Sequence, residues 1–389
     1  MIATLLLSAA FAQGKPAPGV ELKPAKPGGP AITNDMVVAR AADQLGLEAD
    51  LAVGIKEGLE LLFLRKYEET REHFLAVEKR HPGTGLGSVA DVLVWQALMM
   101  ENFDFKFDKQ YWVASKAARK DLDAALKVEG RDAWEHFLMA GVTGIESIHT
   151  MRQSHYLSAL NLAFEAMDHI EQTRKLSPDY TDLKLADGMY NYWRTVVTDS
   201  APMLPKFDDH KQEGIAQMQE VETGGIFLGP PSTLSLAFTW LEENDKGQAM
   251  ASCMKNRRAY PDNVINNLVL GSLHVSNRKY SSALGVFDEI LEDSPSNKRA
   301  RYWRGLSLHK SGRLDEAMVD YKTYLGFDYM EDYQRAQAWY RVGQIHEAKK
   351  AYADAVAAYD EAVKVDGHKV AKKNADALRA RKKAGEISF

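Results

Sequence analysis

The chain reads as all-helical, an α-solenoid built from stacked helical hairpins. Three observations predict it. Helical periodicity runs from Asn34 onward, with no sustained two-residue alternation and no Asn-Gly hairpin turn. A glycine, an alanine twelve residues on and an aromatic four further on recur together three times toward the C-terminus. With 389 residues, 45% of them hydrophobic and 10% aromatic, the chain can bury a large core, and its single cysteine rules out an intrachain disulfide framework.

The recurrence is the strongest of the three. Its members are Gly271, Ala283 and Phe287, then Gly305, Ala317 and Tyr321, then Gly343, Ala355 and Tyr359. The first two sets are 34 residues apart and the third is displaced by 38, with the excess falling in a loop at 326–332. A small residue on each of two antiparallel helices lets the backbones approach, and the aromatic one turn later fills the space beside them. Tyr280, Leu314 and Tyr352 mark second-helix starts, Pro295 closes a unit, and Trp339 and Ala362 complete the last.

Stepping back one period from Val264 gives Pro230, and that unit holds Leu236, Ala237, Trp240 and Ala249 before Pro261. Near the N-terminus Gly58, Tyr67, Phe74 and Pro82 fall at the same offsets, with Thr70 in place of the alanine. Residues 83–229 are helical but out of register. Within them 154–176 reads as one long helix with Leu157, Leu160, Phe164, Met167 and Ile170 on one face, ended by Ser177-Pro178.

On these residues the chain resembles tetratricopeptide-repeat proteins over 230–369. The resemblance implies a right-handed superhelix whose first helices line a concave groove for peptides or helices. The stretches LSPDYTDLKLADGMYNYW and DDHKQEGIAQMQEVETGG resemble a group of exported bacterial tetratricopeptide proteins and are distantly similar to the eukaryotic inclusion-body-clearance family. Neither resemblance implies a reaction.

Carrying groove positions onto the regular units gives Ile265, Leu268, Ser272 and Val275, then Arg299, Tyr302, Leu306 and His309, then Gln337, Tyr340, Gln344 and Glu347. The expected partner groove is Leu268, Ser272, Arg299, Tyr302, Leu306, His309, Tyr340 and Gln344. The chaperone-binding subclass holds a terminal carboxylate with Lys and Asn. Leu268 and Ser272 stand at the first Lys and Asn places and Trp303 at the second Asn place, so no such clamp is expected. An apolar, aromatic groove suits a helix or an extended apolar segment.

The N-terminus, MIATLLLSAAFA over 1–12, reads as a secretory signal peptide: an apolar run ended by the small-x-small pattern Ala10-Phe11-Ala12. It lacks a basic residue before the apolar run, and the run is short. No cysteine follows it, so no lipid anchor is expected. Residues 13–33 carry five prolines and four glycines and read as an extended linker. Together they place the body, a helical domain at 34–229 and a repeat array at 230–369, in the periplasm or at the cell surface. The alternative is a cytoplasmic chain with a disordered leader.

Residues 370–389 read as a basic capping helix. From Lys369 on there are seven Lys or Arg against two acidic residues, with Val370, Ala377 and Leu378 as a thin apolar stripe. Peripheral contact with an anionic membrane is the second expectation for it. Net charge is −5, which does not point to nucleic acid.

Catalytic constellations are sparse. Glu146 and His149 form one Glu-x-x-His pair with His155 nearby, but a di-iron bundle needs a second pair and more carboxylates. Polar residues on an interhelical face is the plainer reading. His346-Glu347 lacks a second histidine, Gly224, Gly225 and Gly229 lack the Lys-Ser/Thr of a phosphate loop, and no nucleophile elbow is present. Leu185, Met189, Tyr192, Trp193 and Val196 fall at helical spacing and read as core. The competing reading is a ligand-facing cluster with Tyr190 and Asp187, and the two-proline stretch at 198–209 as its rim. Cys253 reads as a small core residue. The function expected is therefore a non-catalytic exported scaffold that binds a protein in a cell-envelope assembly, with no cofactor and no metal. The alternative is a metal- or small-ligand-binding protein or enzyme using 83–229.

Overall fold

The computed structural model describes residues 33–128, 132–153, 155–200, 208–328 and 330–389. The leader and most of the linker lie outside these residues. Among the described residues the secondary structure is helical throughout, without strands, as the periodicity predicts. The chain forms two compact units. One comprises the described residues up to Leu98 together with Phe107–Asn266, and the other comprises Met99–Lys106 with Asn267–Phe389.

The helices of the first unit are α1 (Asn34–Leu45), α2 (Ala49–Phe63), α3 (Tyr67–Arg80), α4 (Leu86–Asn102), α5 (Asp108–Ala125), α6 (Asp132–Arg152), α7 (Tyr156–Leu176), α8 (Leu183–Ser200), α9 (Lys211–Gly224), α10 (Gly229–Glu242) and α11 (Lys246–Ala259). Helix α12 (Val264–Ser276) crosses into the second, which continues with α13 (Tyr280–Asp293), α14 (Lys298–Lys310), α15 (Leu314–Leu325), α16 (Asp332–Ala348), α17 (Tyr352–Asp366) and α18 (Lys369–Lys383). The last residues of α4 belong to the second unit. The chain passes for the last time from the first unit to the second at 266/267, within α12, and α10 packs on both α9 and α11.

The glycine–aromatic rule is visible in the packing. A Cβ at Gly271 would lie 2.5 Å from the ring of Phe287, and one at Gly343 would lie 2.5 Å from that of Tyr359. The degenerate N-terminal unit obeys the same rule, with Gly58 at 2.5 Å from Phe74. At Gly305 the fit is looser: its nearest neighbours are Asp320 Cβ at 3.2 Å and Tyr321 at 3.3 Å. Thr70 fits the alanine place because its hydroxyl donates to its own helix, at Lys66 O.

A second regularity was hidden in the sequence. The first helix of each of five hairpins ends on a residue in the left-handed region: Arg65, Asn244, Arg278, Gly312 and Lys350. After each, an N–H reaches back five residues, as from Lys279 to His274 O and from Ala351 to His346 O, both at 2.9 Å or less. This closure satisfies helix-terminal carbonyls and reverses the chain.

In the first unit one core joins distant stretches. Val37, Ala41, Leu51, Ile55 and Phe74 pack in a cluster with Trp134, Ile170, Tyr180, Leu183, Ile226 and Phe227. Arg40 donates to Gly224 O at 2.6 Å, and Thr181 N donates to Gln44 at 3.0 Å, so α1 is tied to the 180–228 stretch. Asp182 is fully buried there, accepting from the backbone N–H groups of Ile226, Phe227 and Leu228 at 2.8–3.1 Å. Burial raises its carboxyl to about 6, the three backbone donors pulling the other way.

The expected long helix at 154–176 is seen as α7, but its apolar face is divided. Met167 and Ile170 join the core, while Leu157, Leu160 and Phe164 stay exposed. The inward stripe is instead Ala159, Ala166, Ile170 and Thr173, whose small members let α7 close on α6; Ser147 donates to Ala159 O at 2.7 Å. In α18 the buried stripe is Ala371, Ala375 and Leu378, packed on α17, while Val370 is half exposed and Ala377 faces outward. Cys253 is buried, which pushes its thiol up to about 12 and leaves it inert.

Candidate interaction groove

The residues expected to line a groove lie on the first helices α12, α14 and α16. Leu268, Ser272 and Leu306 are buried, and Ser272 satisfies its hydroxyl on Val269 O. These three are therefore packed into the interior and are not open to a partner, unlike the groove lining expected of them. Arg299, Tyr302, His309, Tyr340 and Gln344 are half-buried.

Aromatic packing fixes the half-buried set. Tyr302 lies 5.8 Å from Tyr321 and 5.3 Å from Tyr324, ring centre to ring centre. Tyr340 stacks on His368 at 4.7 Å and lies 5.9 Å from Tyr359, with the Arg341 guanidinium 5.3 Å over its own ring. Such contacts hold large apolar faces in place at small entropic cost. Gln344 donates to the Tyr340 hydroxyl and accepts from Arg341, both at 2.9 Å.

A polar pocket of about 310 Å³ opens here, lined by His309, Lys310, Gln344, Glu347, Ala348, Tyr359 and Asn374. Tyr359 donates to Glu347 at 2.7 Å and accepts from Asn374 at 3.4 Å. Burial and the neighbouring charges of Arg341 and Lys310 hold His309 down at about 4, so it is a neutral imidazole at physiological pH. The pocket thus presents amide, hydroxyl, imidazole, carboxylate and ammonium groups.

The Glu-x-x-His pair of the first unit is divided between two networks. Glu146 is buried, accepts a hydrogen bond from Ser115 and pairs with Arg119 at 3.2 Å. Burial raises its carboxyl above the usual range despite those partners. Arg119 also clasps Glu165 at 2.8 Å. His149 instead bonds Asp108 at 2.7 Å and sits between the rings of Tyr111 and Trp112. Burial lowers its basicity, which Asp108 opposes. His155 is exposed at the start of α7. Among the described residues no three His, Cys, Asp or Glu side chains converge as metal ligands. An open cavity of about 740 Å³ beside Glu146 is walled mainly by α5, with Trp112, Lys116, Arg119 and Lys120.

Within the Tyr190–Trp193 cluster Tyr192 and Trp193 are interior, while Tyr190 and Asn191 are half-buried. Tyr192 is fully buried and donates to Glu243 at 2.9 Å, and Leu185 and Trp193 are buried beside it. Tyr190 lies under Arg194, and Asp187 pairs with Arg174 at 2.7 Å. Gly188 and Gly214 let α8 and α9 touch backbone to backbone: a Cβ at Gly214 would lie 2.5 Å from Gly188 O. Of the 198–209 rim, 201–207 lies outside the described residues.

Sequence reasoning missed the segment Met99–Lys106, which folds with the second unit. Asn297, the N-cap of α14, donates to Glu101 O at 3.1 Å. Lys298 pairs with Asp104 at 3.0 Å, both nearly fully buried. The Arg299 guanidinium lies 3.8 Å over the ring of Phe103. The only sequence signal was the unusual run Asn102-Phe103-Asp104-Phe105 after a helix.

The sequence model of the tetratricopeptide repeat family matches residues 268–328 and 328–376. Residues 268–376 carry tetratricopeptide repeats. Its likeness to the Xenopus laevis "ER membrane protein complex subunit 2-A" is 27% identity over 121 residues, 31% of this chain and 39% of the relative. The chain thus spans well under half the length of that curated relative. Among solved structures, a tetratricopeptide repeat protein from Parabacteroides merdae is 12% identical with a TM-score of 0.41, covering 73% of this chain and 99% of that one. The human IFIT1 dimer with PPP-AAAA is 14% identical with a TM-score of 0.48, covering 90% of this chain and 85% of that one.

Proposed function

We propose that the protein is a non-catalytic scaffold that holds a helix or extended apolar segment of a partner protein against α14 and α16. The observation that carries this is the pre-fixed aromatic face of Tyr302 and Tyr340 beside the polar pocket at His309 and Gln344. Rigid rings cost little entropy on binding, and the pocket can satisfy polar groups of the bound backbone. The partial likeness to a subunit of a named membrane protein complex supports a place in an assembly. The leader read at 1–12 and the linker at 13–33 support export to the cell envelope, with the basic helix α18 meeting anionic lipid.

Crosslinking of intact cells, fractionation and co-purification test both parts. A stable protein partner recovered from the envelope fraction, and lost in a Tyr302→Ala/Tyr340→Ala variant, is the expected result. Recovery of the chain in the cytoplasm with an intact leader would overturn the export reading. Partner recovery unaffected by the two substitutions would overturn the groove.

A further inference from the structure

We propose that the segment Met99–Lys106 is a built-in occupant of the first-helix face of the array, and that this face recognises an aromatic residue followed by an acidic one. The inference rests on the reading of that face as the docking surface. Three consecutive residues at the start of α14 address three different features of the segment. Asn297 reads its backbone at Glu101 O, Lys298 its carboxylate at Asp104, and Arg299 the face of its ring at Phe103. Arg299 is also the first groove position of α14, so the segment lies at one end of the expected groove.

A turn that only joined α4 to α5 would be complete without α14. The closure N–H of Asp104 to Met99 O, at 3.1 Å, and that of Lys106 to the Asp104 carboxylate, at 3.1 Å, already reverse the chain. The segment nonetheless buries Met99, Glu101, Phe103 and Asp104. Phe103 takes the same left-handed place, φ +54°, that closes the other hairpins, and there its ring is capped by the Arg299 guanidinium. Lys298 also donates to Asp328 O at 2.9 Å, so its ammonium is held ready for one carboxylate. Charge-assisted bonds in such enclosed places are strong and selective for their partner.

Two consequences follow. The groove end is self-occupied, so an incoming partner competes with a segment tethered at high effective concentration. A partner that wins carries the same pairing, a ring for Arg299 and an adjacent carboxylate for Lys298.

The test uses the full-length chain and a fluorescently labelled peptide spanning 99–106, read by anisotropy. A Phe103→Ala/Asp104→Asn variant, whose own segment is weakened, should bind the peptide at least about tenfold more tightly than the unaltered chain does. Adding Lys298→Glu to that variant should abolish binding. Equal binding to both chains, or none to either, overturns the proposal. An arm independent of any substitution uses hydrogen exchange on the unaltered chain: saturating peptide should speed exchange of the amides at 99–106, and unchanged protection overturns the proposal. Peptide binding without recovery of an envelope partner would leave this inference standing and remove only the assembly reading.

Discussion

Adding one methyl group to each repeat glycine separates packing from helix propensity. Alanine in place of a mid-helix glycine stabilises by about 1 kcal/mol through propensity alone. Against this stands the space available. At Gly343 the new Cβ would lie 2.5 Å from two Tyr359 ring atoms. That ring cannot swing away freely, because it is fully buried and its hydroxyl is bonded to Glu347 at 2.7 Å. Overpacking of this kind costs about 1–3 kcal/mol, so Gly343→Ala should be destabilising by up to about 2 kcal/mol net. Gly271→Ala meets the Phe287 ring at the same distance and should be similar or slightly milder, since that ring carries no hydroxyl tether. Gly305→Ala meets nothing closer than 3.2 Å and should be neutral or stabilising by up to about 1 kcal/mol. Urea denaturation followed by far-UV circular dichroism gives the midpoints, and hydrogen exchange of α16 and α17 localises the loss, because solenoids open locally. Gly305→Ala as costly as Gly343→Ala, or all three neutral, would refute the glycine-on-ring account.

Three further outcomes are expected. Gly312→Ala should destabilise by about 1–2 kcal/mol and Lys350→Gly should stabilise by up to about 1 kcal/mol, because both sit at positive φ, and thermal melts with the opposite order would refute the turn assignment. Asp182 has a folded-state pKa of about 6 against 3.8, so the native state takes up its proton first and stability falls as pH rises from about 4 to about 6, by up to about 3 kcal/mol. Asp182→Asn should remove that slope from urea midpoints. His309, held down at about 4 against 6.5, acts in the opposite sense: stability is full above about 6.5 and is lost as pH falls toward 4, and His309→Gln should flatten local exchange in α14 over that range.

The array was legible in the sequence because its determinants are local. A glycine and the ring it meets are sixteen residues apart in one hairpin, and Gly271 with Phe287 states the rule in full. The reversing turns were not legible, because four of the five left-handed positions carry Arg, Asn or Lys instead of glycine. The face of α7 was misread at Leu157, Leu160 and Phe164, since hydrophobicity predicted burial while the close approach to α6 selected Ala159 and Ala166. The contacts of Asp182 and of Met99–Lys106 depend on partners distant along the chain, which no spacing pattern reports. At the groove, Arg299 was named from its offset alone, but only the structure shows the Phe103 ring beneath it.

The bond from Asn297 to Glu101 spans 196 residues of sequence. Translation proceeds at about 5–20 residues per second, so about 10–40 s elapse between synthesis of the two ends. During that interval Met99 and Phe103 have been made but the helix that covers them has not. The emerging chain must carry an uncovered apolar turn while most of the first unit is already available to fold. Closure of this contact is therefore a late, non-local step.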